Sequence, residues 1–253
     1  MQRIAVFVYS IFAYAVALVA LGSLVAFLGN APWPRPIDGG GVASPLDPAL
    51  ALAVNIGLIL LFGVPHSVMA RPGFKRWLTR FIPPAAERST FVWVNSGFLL
   101  AMIWGWQPMP TVLWQLDGTT QTIVWGFFGL GWLVLLVATF LVNHFHLFGL
   151  SQGWSGLHGA DAPEPEFRTP MLYKYVRHPL MTGMLISLWA APVMSAGHLV
   201  ASVGLSLYIL IGVYFEERDL IRTFGQTYLD YKSRVPSVVP WFSVRPRLES
   251  TNR

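Results

Sequence analysis

The residues best suited to chemistry stand where they cost most. His66, Asn95, Asn143, His144 and His146 lie inside or at the ends of long apolar stretches, and polar or ionisable side chains in a membrane span are expensive unless they serve a site. These residues share a depth. His66 comes five residues before the basic Arg71, and Asn95 seven residues after the basic Arg88. At about 1.5 Å of rise per residue, both sit roughly 7 to 11 Å inside the same face. Asn143, His144 and His146 close a fourth apolar stretch at that face, Arg177-His178-Pro179 opens a fifth, and Glu216-Glu217 ends a sixth.

The run at 177–179 has a specific use. Proline lacks an N–H and suits the first turn of a helix, so Pro179 marks a helix start. The free N–H groups of such a start attract anions, and Arg177 and His178 add donors beside them. Glu216 and Glu217 return to the same face, where they can accept hydrogen bonds from ribose hydroxyls or an amino group. An anion receptor next to carboxylates suits a zwitterionic nucleoside such as S-adenosylmethionine. Plainer roles stand beside these: Arg177 as a headgroup anchor, Glu216 and Glu217 as partners of Arg218 or Arg222 on a solvated helix face, and His66 as an interhelical hydrogen-bonding group. Tyr228 and Tyr231 read as interfacial anchors. His144 and His146 are two apart, so a helix points them to different faces. No third ligand completes a metal site from them, and none is expected. With no cysteine in the chain, disulfides, thiolate metal sites and a cysteine nucleophile are excluded.

The elements that position these groups follow from composition. Of 253 residues, 54% are hydrophobic and 11% charged, which excludes a water-soluble globular domain and intrinsic disorder. Intervals free of charge run over 4–34, 48–70, 89–116, 118–160 and 179–215, and each can hold a span of about 20 residues. Helices are expected near 4–28, 50–69, 90–106 and 121–146. The last interval would reach about 55 Å as one helix, against a hydrocarbon core of about 30 Å. Pro192 and Gly197 divide it into a C-terminal hairpin of helices near 180–195 and 199–215. The expectation is an all-α, polytopic integral membrane helical bundle of about six transmembrane helices, with one membrane domain over residues 1–253. Mixed charges and apolar side chains at helical spacing over 216–234 predict an interfacial amphipathic helix.

The first apolar run is too long for a cleavable signal and reads as a mature first helix. With these spans, 16 of the 17 Lys and Arg fall on one side and Arg35 alone on the other, so both termini are expected to be cytoplasmic. The formal charge of +5 then belongs to membrane lipid headgroups, and nucleic acid is not an expected partner. No internal repeat and no obligate protein partner is evident. The Pro/Gly-rich stretch 32–48 reads as a connector, and 147–177 as a lid or site wall.

The ordered set Tyr173-x3-Arg177-His178-Pro179-x3-Gly183, Glu216-Glu217, Phe224-Gly225-x2-Tyr228-x2-Tyr231 and Val235-Pro236 resembles the C-terminal motif of the isoprenylcysteine carboxyl methyltransferase-like superfamily. Upstream, His66-Ser67-Val68-Met69-Ala70-Arg71-Pro72 with Phe74-Lys75, then Glu87-Arg88-Ser89-Thr90, Trp106-Gln107-Pro108 and Asn143-His144-Phe145 resemble its methanethiol S-methyltransferase branch, with NnrU-type membrane proteins as relatives. The resemblance implies a multi-pass enzyme of the bacterial inner membrane that uses S-adenosylmethionine, leaves S-adenosylhomocysteine, and holds the donor through a C-terminal portion, 147–246. By position it implies donor contacts at Tyr173, His178, Pro179, Leu180, Met181 and Glu216, with Phe167 and Arg168 before them and Gln152 more loosely, and the residue chemistry above adds Arg177 and Glu217. Two departures matter. Leu180-Met181 stands where the prenyl-cysteine enzymes carry a small residue and an aromatic. Gly212 stands where they carry a substrate-facing arginine, which favours a small uncharged or thiol acceptor over a carboxylate.

The resemblance therefore implies methylation of methanethiol to dimethyl sulfide. Such a transfer is an in-line displacement that needs alignment and exclusion of water, and the thiol must react as its thiolate. His66 is the preferred base or hydrogen-bond partner, with Asn95 and His144 as alternates. Rival readings are a methyltransferase acting on a prenyl-cysteine carboxylate, an amine or a lipid, and a non-enzymatic NnrU-like membrane factor.

Overall fold

The computed structural model describes residues 1–41, 44–160 and 167–240. Parts of the expected donor-binding portion, 161–166 and 241–246, therefore lie outside the described residues, as do Arg245, Arg247 and Arg253. The helices are α1 (Gln2–Leu28), α2 (Pro48–Met69), α3 (Pro72–Leu78), α4 (Pro84–Gly105), α5 (Gly118–Val142), α6 (His144–Leu147), α7 (Leu150–Leu157), α8 (Pro179–Trp189), α9 (Ala196–Phe224) and α10 (Gln226–Arg234). Strands β1 (Val112–Gln115) and β2 (Val193–Ser195) pair antiparallel, and a 3₁₀ turn covers Met171–Lys174.

Helices α1, α2, α5 and α9 are long and apolar enough to cross a membrane. Large apolar side chains stay exposed on their outer faces, among them Leu60, Leu133 and Leu210, the pattern of a bundle whose solvent is lipid. The inner faces carry small residues. Ser10, Ala13, Ala17 and Ala20 form the buried stripe of α1, and this helix packs on α4; small side chains let backbones approach. Helices α5 and α8 cross at Gly131 and Gly183, where a Cβ on Gly131 would stand 2.6 Å from the Gly183 carbonyl oxygen. Phe27, Met102, Ile103, Trp106 and Leu188 fill the main core.

Local sequence sets the boundaries. Proline opens α2, α3, α4 and α8, where its missing N–H is no loss. Asp47 caps α2 by accepting from the N–H groups of Ala49 and Leu50, both at 3.0 Å. The fourth expected helix ends four residues early, because Asn143 takes φ 120° and its side chain accepts from the His146 N–H at 3.1 Å, starting α6.

The C-terminal hairpin departs further from expectation. Helix α8 has 11 residues and stops at Trp189. The chain beyond forms β2, which pairs with β1 at the end of the bundle opposite the polar groups, so the fold is not purely helical. Helix α9 runs 29 residues, through Glu216-Glu217 to Phe224. Gly225, at φ 55°, divides it from α10. The amphipathic helix expected over 216–234 is thus two pieces, and Tyr228 and Tyr231 are buried instead of anchoring at an interface.

Candidate active site

Helices α1, α2, α4, α5, α8 and α9 line a cavity of about 530 Å³ near the end of the bundle that carries most of the basic residues. Its lining includes His66 from α2, Arg88 and Asn95 from α4, Leu180 and Met181 from α8, and Glu216 from α9. Spacing explains the convergence. Tyr208, Gly212, Glu216, Leu220 and Thr223 recur at three or four residues along α9 and share the cavity face. Arg88, Phe91, Val92, Asn95, Ser96 and Leu99 do the same along α4.

His66 sits in an aromatic box. Its Nδ1 lies 2.6 Å from the Tyr208 hydroxyl, and its ring packs edge-on to Phe91 with centroids 5.0 Å apart. Among the described residues, its other nitrogen has no protein partner. Asn95 is buried, donates through Nδ2 to the Phe91 carbonyl at 2.7 Å, and leaves its Oδ1 without a partner. A buried acceptor left unpaired costs about 1–3 kcal/mol and points to a ligand group that would satisfy it. Arg88 donates through Nε to the Leu147 carbonyl at 2.6 Å and lays its guanidinium over the Phe91 ring, 4.6 Å from the centroid. His144 is placed differently. Its ring nitrogens meet the Tyr14 hydroxyl at 2.9 Å and the Thr139 hydroxyl at 2.8 Å, and the ring stacks on Phe140, so it ties α1 to α5.

The opposite wall is acidic. Glu216 lines the cavity with 48% of its side chain accessible, and its Oε2 lies 3.6 Å from His178 Nδ1. Asp219, also on the lining, pairs with Arg71 at 2.7 Å.

Behind this wall, Glu217 faces away and holds a clamp. Its Oε1 accepts from Arg177 Nε at 2.9 Å and Nη2 at 2.5 Å and lies 3.2 Å from His178 Nε2, while Oε2 pairs with Lys232 at 2.6 Å. Arg177 further donates to the carbonyls of Lys232 and Val235. Its donors are spent on the chain itself, so the anion-receptor role expected for Arg177 has no free group to carry it. The Arg177 and His178 N–H groups donate to the carbonyls of Pro236 and Ser237 at 2.9 and 3.1 Å, docking the following segment against the start of α8. Pro179 is buried at the first position of that helix.

The remaining expected residues surround the clamp. The Tyr173 carbonyl accepts from the Tyr231 hydroxyl at 2.6 Å. Burial, reinforced by Glu216, pushes the Tyr173 phenol well above its ordinary pKa, and burial pushes Tyr231 up to about 12, so both stay neutral hydrogen-bonding groups. Phe167 packs on Phe224, Tyr228 and Tyr231 with centroids 5.2 to 6.0 Å away, and Arg168 follows it. Gln152 on α7 donates to the His146 carbonyl at 3.1 Å. Three cavity residues escaped the sequence reading: Tyr208, Arg88 and Asp219. Two four-residue steps back from Glu216 reach Tyr208 through Gly212, and a seven-residue count back from Asn95 reaches Arg88.

This is a helical membrane protein with a mostly apolar cavity at one end that carries cationic and amide groups on one wall and carboxylates on the other. The NnrU protein family profile matches residues 54–235. Methanethiol S-methyltransferase 2 of Bradyrhizobium diazoefficiens is 45% identical over 98% of this chain and 94% of its own length. Methanethiol S-methyltransferase of Mycobacterium tuberculosis is 43% identical over 95% and 98%. Nurim of Sus scrofa is 27% identical over 83% and 84%. The chain belongs to the NnrU family and, within it, to the methanethiol S-methyltransferases. No solved structure matches.

Proposed function

We propose that this chain is a membrane-embedded enzyme that transfers a methyl group from S-adenosylmethionine to methanethiol, giving dimethyl sulfide and S-adenosylhomocysteine. The observation that carries the reading is the two-walled cavity in a chain 45% identical to a methanethiol S-methyltransferase. A volume of about 530 Å³ lies in the range of small-molecule sites. The residues present fit the donor. Glu216 offers an accessible carboxylate for its ammonium or ribose hydroxyls, Leu180 and Met181 offer apolar surface for the adenine, and Tyr173, His178, Pro179, Phe167 and Arg168 support that wall, while Gln152 stands on α7 against α1 and α4. Arg177 and Glu217 act one layer further out, as the clamp that keeps 232–238 against α8.

Bound there, the sulfonium would supply an electrophilic methyl. The chain's own work is to align the acceptor, exclude water and favour the thiolate. His66 holds a ring nitrogen toward the cavity while Tyr208 fixes the ring through the other, and Asn95 presents its unpaired Oδ1 to a thiol S–H. His144 supports this wall through Tyr14 and Thr139. No residue forms a covalent intermediate.

In the bilayer, α1, α2, α4, α5 and α9 each cross as helices and the 11-residue α8 crosses together with the segment through β2, which makes six spans with both termini cytoplasmic and the cavity near the cytoplasmic face of a bacterial inner membrane. Residues 147–246 form the donor-binding portion of one membrane domain, membrane lipids are its neighbours, and no obligate protein partner is required. The direct test is headspace gas chromatography over purified protein in detergent with donor and methanethiol. Donor-dependent dimethyl sulfide is the expected result. Donor binding without this product would shift the acceptor to a larger molecule, and absence of both would favour a non-enzymatic membrane factor.

A further inference from the structure

From the placement of its guanidinium, we infer that Arg88 is the group that holds the acceptor as a thiolate. This inference rests on the thiol-methylation reading. Three cations lie at or beside the site, and two are committed: Arg71 pairs with Asp219 at 2.7 Å, and Arg177 with Glu217 at 2.5 Å. Arg88 lines the cavity, spends its Nε on the Leu147 carbonyl at 2.6 Å, and among the described residues has no carboxylate within ion-pair distance. Its guanidinium and the His66 ring flank Phe91, at 4.6 and 5.0 Å from that ring's centroid. One turn further along α4, Asn95 presents a buried, unpartnered Oδ1. Glu87, its neighbour on α4, acts on it only from beyond ion-pair distance; a buried cation with no ion-pair partner is costly, and an anionic ligand offsets that cost.

Glu216 and Asp219 face the cavity from α9, so the positively charged donor belongs on that side and the acceptor on the Arg88 side. Gly212, also on the lining, has nothing within 4 Å of where a Cβ would stand. Helix α9 thus brings no cation at this position, and α4 brings one across the cavity.

The thiol gives up its proton by way of His66 to bulk water, and its thiolate pairs with Arg88. A sulfur lone pair forms the new S–CH3 bond while the donor's S–CH3 bond breaks, its electron pair staying with the donor sulfur. Thiolate and sulfonium become two neutral thioethers, and Arg88 loses its counter-ion, which favours product release. Lowering the thiol pKa by one unit multiplies the thiolate tenfold and reduces its nucleophilicity about threefold, a net gain of about threefold while the pKa exceeds ambient pH. A cation that lowers it by about two to three units contributes about 10- to 30-fold in rate.

The decisive measurement needs no variant. Methanethiol is titrated calorimetrically into the full-length protein loaded with S-adenosylhomocysteine, at neutral pH, in two buffers of different ionisation enthalpy. Release of a fraction of a proton per thiol bound, up to about one half while the bound pKa stays above ambient pH, is expected, and a thiol that binds without proton release overturns the inference. Arg88→Gln should abolish the release, leave S-adenosylhomocysteine affinity within about twofold, and slow methylation of methanethiol by about 10- to 30-fold. The loss should be smaller with the more acidic 2,2,2-trifluoroethanethiol, and Arg88→Lys should keep part of the release. Equal losses for both thiols would make Arg88 a structural residue, and weakened S-adenosylhomocysteine binding would place it on the donor's carboxylate. If wild type makes no dimethyl sulfide and binds no donor, the underlying reading fails instead.

Discussion

Replacing Glu217 by Gln should release the C-terminal segment from the start of α8 without unfolding the bundle. The Glu217 and Arg177 side chains are each 8% accessible, and one carboxylate neutralises Arg177 while meeting His178 and Lys232. Breaking a buried pair from one side costs about 3–5 kcal/mol. The lower end applies, because Arg177 keeps the carbonyls of Lys232 and Val235 and Lys232, 40% accessible, can turn to water. About 3 kcal/mol corresponds to roughly 10²-fold in the docking equilibrium. Hydrogen exchange reads this at two amides, Arg177 and His178, whose N–H groups are held by Pro236 and Ser237. Both should exchange about 10²-fold faster in Glu217→Gln, while amides of α4 around Val92 keep their rate. Unchanged exchange at Arg177 and His178 would refute the clamp. Equally faster exchange throughout would show that Glu217 supports the whole bundle.

Three further outcomes follow from the cavity. His66→Ala should lower turnover about 10²-fold, the low end for an acid–base group, with S-adenosylhomocysteine affinity by calorimetry within about twofold. A mutant with wild-type turnover would remove His66 from the mechanism. Glu216→Gln should weaken S-adenosylhomocysteine binding about 10- to 100-fold, the worth of a hydrogen bond to a charged group, and unaltered affinity would put the donor elsewhere. Gly212→Phe meets no atom at Cβ and would fill the cavity, so activity should vanish while the thermal midpoint in detergent moves little. Full activity in that variant would place the reaction outside this cavity.

Much of this was legible in the chain because membrane helices announce themselves by composition and polar residues inside them by their cost. His66, Asn95 and Glu216 meet at one cavity as their shared depth implied. Spans and boundaries were less legible. Asn143 ends α5 through a positive φ that no hydropathy pattern encodes, and Glu216-Glu217 reads as a helix end although α9 carries the pair through to Phe224. Arg177 and Glu217 look like site residues because they are charged and adjacent to His178 and Glu216. Neighbours in sequence on a helix point to different sides, and here Glu216 faces the cavity while Glu217 faces the clamp, which holds both Arg177 and His178. Arg88 was hidden by the opposite bias: a basic residue near a helix start counts as a topology marker until its neighbours on the helix face are considered.

The account's central claim is that one cavity brings a sulfonium methyl and a small thiol together. The most direct measurement supplies purified protein with S-adenosylmethionine bearing a deuterated methyl, together with unlabelled methanethiol, and analyses the headspace by mass spectrometry. Dimethyl sulfide carrying one labelled and one unlabelled methyl, formed by wild type and lost in Gly212→Phe, is the predicted result. Unlabelled product, or no product from protein that binds S-adenosylhomocysteine, would contradict it.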